Sequence, residues 1–132
     1  SSKEALFRAA VTRTLEQDIG AVTDVLADVD RPLSERLVEA FDHWAGRYVG
    51  PLAHDVMAVV EDNPRLLGDI TAVMPRRFEE LITAAIAAEP GQKAARPVAQ
   101  TLISTSVGLK HQAGSREFYR ERLSAAVELL VS

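Results

Sequence analysis

The sequence predicts an all-α domain, arranged as an antiparallel helical bundle of about six helices. Apolar residues recur with the 3.6-residue period of a helix through almost all of the 132 residues, and no stretch alternates between polar and apolar residues as a half-buried strand would. Breaks that contain proline or glycine divide the chain at 30–32, 50–51, 63–64, 89–91 and 114–115. An apolar fraction of 47% is enough for one core. We therefore expect a single domain over residues 1–132.

The breaks delimit predicted helices at about 2–28, 33–48, 51–62, 64–88, 95–112 and 115–131. Proline lies at or near the first helical position in several of them, where its missing N–H costs nothing. Ser1 and Glu4 have the spacing of a capping box at the start of the first helix. Ser115 is a suitable N-cap for the last helix.

The first helix has two apolar faces. At about 100° per residue, its opening two turns place Leu6, Phe7 and Ala10 on one side. The rest of the helix carries its apolar residues on nearly the opposite side, at Leu15, Ile19, Val22, Leu26 and Val29. The second face has the remainder of the chain to pack against. The first face packs either on a loop or neighbouring molecule, or on a domain that this chain lacks, and we expect it to be exposed here.

The next three helices each carry an apolar stripe. The helix at 33–48 places one narrow stripe at the centre of the predicted bundle: Leu37, Phe41, Trp44 and Tyr48. The stripe of 51–62 consists of Leu52, Val56, Val59 and Val60. The stripe of 64–88 consists of Leu66, Ile70, Val73, Met74 and Leu81, with Pro75 inside the helix, where it should cause a kink.

The last two helices carry more apolar surface than one core can bury. The helix at 95–112 has one face with Val98, Leu102, Thr105 and Leu109, and another with Ile103, Ser104, Val107 and Gly108. The helix at 115–131 has a broad stripe, with Phe118 and Arg122 to its side. This surplus predicts a two-fold homodimer in which two helices from each chain form a four-helix bundle. The alternative is a monomer whose last helix caps its own bundle. The predicted interface residues are Val107, Gly108, Tyr119, Leu123, Ala126, Val127 and Leu130.

The opening "SSKEALFRAAV" resembles the junction in the tetracycline-repressor (TetR) family of bacterial transcriptional regulators. In that family a helix-turn-helix domain is followed by a Ser/Gly-Lys-Glu-x-Leu segment, which Ser2, Lys3, Glu4 and Leu6 match. The closing "GLKHQAGSREFYRERLSAAVELL" is similar to the last two helices of many members. The resemblance implies a regulatory domain that binds a small, largely apolar effector and dimerises. It also implies that operator DNA is bound through an N-terminal domain absent from this chain, with Lys3 touching the DNA backbone.

An effector site in such a bundle would be an apolar cavity with a few polar atoms. We expect it between the segments 33–48, 51–62, 64–88 and 95–112. Polar or aromatic residues on the apolar faces of the segments 33–48, 64–88 and 95–112 are the predicted lining: Trp44, Tyr48, Met74, Arg77, Thr101 and Thr105. Each also has an ordinary structural explanation. The aromatic residues can belong to the core, the arginine can reach solvent or an internal carboxylate, and the threonine hydroxyls can bond to a carbonyl one turn back.

Composition narrows the classes of function. The net charge of −4 and a pI near 5.4 argue against nucleic-acid binding by this chain itself. The chain has no cysteine, its three histidines lack metal-ligand spacing, and no nucleotide-binding or hydrolase motif occurs. We therefore predict no metal, no cofactor and no catalytic residue. No apolar stretch reaches the length of a membrane span, and we expect a cytoplasmic protein.

Two other classes of function stay open. The chain could be a helical protein-interaction module without a small-molecule ligand. It could also be a small helical enzyme, because the residues of a Ser/His/Asp site need not be close in sequence. A TetR-like regulator can act as a repressor or as an activator, and both stay open here.

Overall fold

The computed structural model describes residues 2–50, 65 and 68–131. All regular structure in these residues is helical, which confirms the all-α prediction. The described helices are α1 (Ser2–Ala27), α2 (Leu33–Trp44), a short 3-10 helix (Gly46–Tyr48), α3 (Ile70–Ala87), α4 (Ala95–Gln112) and α5 (Arg116–Val131). The described residues thus hold five α-helices rather than about six. The helix predicted at 51–62 lies outside them.

Most predicted boundaries agree with the structure to within one residue, but two differ. The helix predicted at 33–48 ends at Trp44 and continues as the 3-10 helix over Gly46–Tyr48, hereafter the 46–48 turn. The helix predicted to begin at 64 begins instead at Ile70, because residues 65, 68 and 69 lie in turns. Gly68 has a φ of +63°, a left-handed conformation that an α-helix does not contain.

The helices share one hydrophobic core. Helix α1 packs against α2 and α3, α4 packs against α3 and α5, and α5 also packs against α2 and the 46–48 turn. Each of the five described α-helices contributes large side chains that are fully buried, and these include Val22, Leu37, Phe41, Phe78, Ile82, Ile86, Leu102, Tyr119, Leu123 and Val127. This arrangement places the end of α2 and the 46–48 turn between α1 and α5.

Local signals set the helix ends. The Ser115 hydroxyl accepts a hydrogen bond of 3.1 Å from the backbone N–H of Phe118, which confirms Ser115 as the N-cap of α5. After α3, Pro90 and Gly91 stop the helix, and Gly91 takes a φ of +88° that favours glycine. The capping box predicted for Ser1 lies outside the described residues.

The two faces predicted for the first helix differ in burial. Ile19, Val22 and Leu26 are buried, whereas Leu6 is 72% exposed. Ala10 is also exposed and Phe7 is half-buried. The prediction of an uncovered opening face is therefore confirmed for Leu6 and Ala10 and met only in part by Phe7. Val29 was expected on the inner face, but α1 ends at Ala27 and Val29 is exposed in the link that follows.

None of the described helices combines the length and the apolar composition that crossing a lipid bilayer requires.

Candidate functional site

Helix α3 turns a different row toward the core than the sequence predicts. Its buried residues are Met74, Phe78, Ile82 and Ile86, a row with a spacing of four. Arg77 lies about 100° from this row and is exposed. The expectation that Arg77 faces the interior is therefore wrong. The error arose because the apolar residues near Pro75 suggested a phase that the second half of the helix does not keep.

Aromatic rings gather where α2 meets α3. The Trp44 ring stacks on the Phe78 ring with 4.8 Å between centroids and 9° between planes. The Phe41 ring meets the Phe78 ring edge-on, with 5.0 Å between centroids. Met74 is buried one turn before Phe78. Two of the predicted lining residues, Trp44 and Met74, thus face the interior, and Phe78 is the ring between α2 and α3 that the sequence analysis missed.

The two threonines predicted to line the site bond within their own helix. The Thr101 hydroxyl donates to the carbonyl of Pro97 at 2.8 Å, and the Thr105 hydroxyl donates to the carbonyl of Thr101 at 2.9 Å. Thr101 is exposed and Thr105 is half-buried. Both hydroxyls therefore follow the ordinary pattern of a helical threonine.

The last predicted lining residue, Tyr48, bonds to a buried carboxylate in α1. Its hydroxyl donates to Oδ2 of Asp18, and Nη1 of Arg47 donates to Oδ1 of Asp18 at 2.8 Å. The Asp18 side chain is fully buried, whereas that of Arg47 is 44% exposed. Burial raises the pKa of the Asp18 carboxyl, because lost hydration outweighs the bond from Tyr48 and the charges of Arg47 and His43. Burial and the neighbouring carboxylate also raise the pKa of Tyr48.

A second buried carboxylate lies at the other side of the same turn. Asp42 accepts hydrogen bonds from Nε of Arg116 at 2.8 Å and from Nη2 of the same guanidinium, and Nη1 of Arg120 lies 2.8 Å from Oδ2. Burial raises the pKa of Asp42, but the two arginines of α5 outweigh it and the net pKa is lowered. Asp42 thus remains ionised where α2 meets the start of α5.

The predicted dimer residues divide into two groups. Tyr119, Leu123 and Val127 are fully buried in the core of this chain, and the Tyr119 hydroxyl shares a 2.6 Å hydrogen bond with the Ser106 hydroxyl. A side chain with no exposed area cannot lose area to a second copy, so these three predictions are wrong as interface assignments. The predicted residues that keep exposed area are Val107, Gly108, Ala126 and Leu130.

A different row of α5 faces outward. Phe118, Arg122, Ala125 and Leu129 are all exposed and follow one another at spacings of four, three and four. The Arg122 guanidinium lies 5.0 Å above the centre of the Phe118 ring, and Leu129 is 85% exposed. We call these four residues the outer row of α5. On α4, Val107 is 52% exposed and has Ser104 and Gly108 beside it.

A groove of about 320 Å³ runs between α2 and α5. Most of its charged side chains pair within the chain, since Arg31 pairs with Glu35 and Glu39, and Arg120 pairs with Asp42. It therefore offers a polar surface rather than an apolar ligand site. Its lining consists of Arg31, Ser34, Glu35, Val38, Glu39, Arg120, Ser124 and Glu128.

Within residues 2–50 and the described part of 65–131, no three His, Asp or Glu side chains come together as a metal site would need. Lys3 lies exposed in the first turn of α1. The cavity predicted between the segments 33–48, 51–62, 64–88 and 95–112 has one wall, 51–62, outside the described residues.

The sequence analysis missed the buried charges, although a signal was present for one of them. Asp18 has the spacing of the core face of α1. Leu15 precedes it by three residues, and Ile19 and Val22 follow it by one and four residues. A carboxylate on such a face needs a partner. The sequence does not say that the partners are Arg47 and Tyr48, because these lie about thirty residues away.

Comparison of this chain with protein-family models, with curated proteins and with solved structures found no match in any of the three.

Proposed function

We propose that this chain is the effector-binding and dimerisation domain of a TetR-like transcriptional regulator. In the proposed protein, a helix-turn-helix domain before Ser1 binds operator DNA, and a small, largely apolar ligand changes the population of two helical arrangements. A repressor that the ligand releases is the form we favour. The observation that carries the proposal is the outer row of α5, in which Phe118, Ala125 and Leu129 are apolar and which the core of this chain leaves uncovered.

The outer row supports a homodimer. Its spacing of four, three and four is that of the seam between two packed helices. Small residues on α4, Ser104 and Gly108, would allow the helix of a second copy to approach closely. The proposed interface is therefore formed by the outer row of α5 together with Val107 and Gly108 of α4, rather than by the buried row of Tyr119, Leu123 and Val127. In a two-fold dimer, α4 and α5 of both copies would form an antiparallel four-helix bundle.

The aromatic cluster supports the effector site. Trp44, Phe78 and Met74 bring large apolar surface to the junction of α2 and α3, and Tyr48 adds a polar atom nearby along the chain. Apolar walls with few polar groups suit a small apolar ligand. We assign no catalytic residue, metal or cofactor to this site.

The opening of α1 supports a preceding domain. Leu6 is exposed on a face that the rest of α1 does not share, and Lys3 lies in the same first turn. In the proposed protein, the preceding DNA-binding domain would cover the Leu6 side chain. Reading the coding sequence upstream of Ser1 tests this part directly, since a helix-turn-helix is expected there and its absence would contradict the family assignment.

Light scattering tests the dimer. We expect the unmodified chain at micromolar concentration to show twice its mass of 14.4 kDa. The variant L129E should show the mass of one chain, because a carboxylate at this position of the outer row cannot be buried without a partner. The matched control is V73E, an apolar-to-acid change at a side chain of α3 that is 47% exposed and lies off the row. A single-chain mass for the unmodified protein would contradict the dimer.

Thermal unfolding tests the ligand. A compound that binds only the folded chain at a hundred times its dissociation constant stabilises it by about 2.7 kcal/mol. We expect some members of a panel of small apolar compounds to raise the midpoint and to change the fluorescence of Trp44, the chain's single tryptophan.

A helical interaction module without a small-molecule ligand is the second candidate. The exposure of Arg77 and Thr101 favours it, because two of the polar groups expected in a ligand site face solvent instead. A thermal midpoint that no compound moves, with a stable dimer mass, would favour the interaction module over the effector-binding domain.

A further inference from the structure

The 46–48 turn lies between two buried carboxylates that belong to different contacts. On one side, both polar side chains of the turn, Arg47 and Tyr48, bond to Asp18 in the middle of α1. On the other side, Asp42 precedes the turn by one helical turn and holds Arg116 and Arg120 of α5. One short segment is therefore tied to two helices that are far apart in sequence.

Close packing links the two sides. Gly46 lies so near to its neighbours that a Cβ atom added there would be 2.5 Å from Oδ1 of Asp42 and 2.9 Å from the Tyr119 ring. The turn therefore cannot shift toward α5 without displacing the Asp42 carboxylate or a fully buried ring. Packed interiors compress little and transmit strain, so a displacement on one side of the turn acts on the other side.

We propose that the 46–48 turn couples α1 to α5. Breaking the contacts between Asp18 and the turn weakens the ion pairs that Asp42 makes with the first turns of α5, and breaking those ion pairs weakens the contacts of Asp18. The coupling is reciprocal, as any thermodynamic linkage between two sites must be. It is a property of these contacts and goes beyond the proposed function, because it needs neither an effector nor an operator.

The two ties differ in strength. Asp42 is held by two guanidinium groups with three short contacts. Asp18 is held by one guanidinium and one phenol, so the two sides differ in the number of guanidinium groups and not in their exposure, which is 44% for Arg47 against 51% and 44% for Arg116 and Arg120. Asp18 is therefore the tie that opens first, and Arg47 can then extend into solvent.

Amide hydrogen exchange on the 132-residue chain tests the coupling. D18N and D42N each replace one acceptor oxygen with an NH₂ group, so neither side chain can accept from all of its partners. We expect D18N to speed exchange at the amides of Arg120–Ser124 by at least about fivefold, the lower end of typical coupling. We expect D42N to do the same at the amides of 18–22. Amides of the first turn of α5 are not used, because they lack intrahelical partners.

The matched control is E79Q, which makes the same carboxylate-to-amide change in the Arg96–Glu79 pair between α3 and α4. It should leave exchange at both reporting sites unchanged. The proposal is overturned if D18N speeds exchange only in α1 and D42N speeds exchange only in α5. If either variant loses protection throughout the chain, Y48F and R120Q replace it. Y48F leaves Arg47 on Asp18, R120Q leaves Arg116 on Asp42, and both are judged by the same rule.

Discussion

At the scale of single residues, the two buried aspartates show how neighbours decide the sign of a pKa shift. Both lose hydration on burial, which favours the neutral acid. Two arginines reverse this effect at Asp42, so its pKa lies below the ordinary value of 3.8. One half-exposed arginine does not reverse it at Asp18, whose pKa is raised. The two residues should therefore affect stability in opposite directions as pH changes.

The stability that Asp42 contributes should be lost in acid. Since its pKa is lower in the folded chain than in the unfolded chain, the contribution is complete above 3.8 and falls as pH drops through the folded value. We expect D42N to cost about 1–3 kcal/mol near neutrality, because buried hydrogen bonds to charged groups are lost. Urea unfolding of the two proteins from pH 7 to pH 2 should show this difference shrinking below about pH 4. A difference that grows in acid would contradict the assignment.

Asp18 should behave in the opposite way. Because its pKa is raised in the folded chain, its contribution is complete below 3.8 and is lost as pH rises through the folded value. We therefore expect the unmodified chain to gain stability relative to D18N as pH falls from 7 toward 4. The same urea series measures this. If the stability difference between the unmodified chain and D18N instead shrinks in acid, as expected for D42N, the bonds from Arg47 and Tyr48 outweigh the burial of Asp18.

Gly46 should not tolerate a methyl group. The Asp42 carboxylate and the Tyr119 ring occupy the space that a Cβ atom would need, and both are fixed by hydrogen bonds. We expect G46A to lower the free energy of unfolding by about 1–3 kcal/mol, the usual cost of overpacking. The control is G20A in α1, where no atom other than those of the adjacent residues and the helix backbone lies within 4 Å of the added carbon. G20A should be neutral or stabilising, since alanine favours a helix over glycine.

At the scale of elements, Arg36 joins three helices from a buried position. Its side chain is only about 4% exposed. It donates to the carbonyl of Leu26 at 2.9 Å and to that of Arg31 at 2.9 Å, and it pairs with Glu89 after α3 at 2.8 Å. The carbonyl of Leu26 is one of those at the end of α1 that have no partner within the helix. A cation there also complements the negative end of the helix dipole.

Replacing Arg36 with methionine should therefore destabilise the whole chain. R36M keeps an unbranched apolar side chain but leaves two carbonyls and a carboxylate without their donor. We expect a loss of about 2–4 kcal/mol, as for removal of one partner from a buried polar group. Guanidinium unfolding followed by circular dichroism measures it. R96M, which removes an exposed pair between α3 and α4, is the control and should change stability by less than about 1 kcal/mol.

At the scale of the whole molecule, burial changes sharply along α1. The helix is buried on one face from Asp18 to Leu26, whereas its opening turns are largely exposed. A helix that extends past its own core gains little stability from its first turns. Packing rather than propensity supplies most of the stability of a helix in a protein.

A matched pair of leucines measures this difference. L37A removes a fully buried side chain and should cost about 2–5 kcal/mol, whereas L6A removes one that is 72% exposed and should cost less than about 0.5 kcal/mol. Urea unfolding of both variants gives the comparison. A large loss in L6A would mean that the opening face is already covered in this chain, which would remove the support that it lends to a preceding domain.

The sequence by itself determined the helical class and most helix ends. Proline, glycine and capping serine act on their immediate neighbours, so 95–112 and the Ser115 cap were predicted correctly. It also determined that the last two helices have more apolar faces than one core uses, because periodicity is a local property. The sequence analysis did not single out Asp18 as a buried charge, although it has the spacing of the α1 core face.

Only the tertiary structure decided which face each helix turns inward and which charges meet. In α3, Phe78 rather than Arg77 lies against Trp44. In α5, Leu123 rather than Phe118 is buried. In both helices the neighbouring helices decide which of several possible rows is buried. Asp42 finds Arg116 across a separation of 74 residues. No local pattern encodes such a pair. It forms because a buried carboxylate is costly without a partner, and the folded chain brings that partner to it.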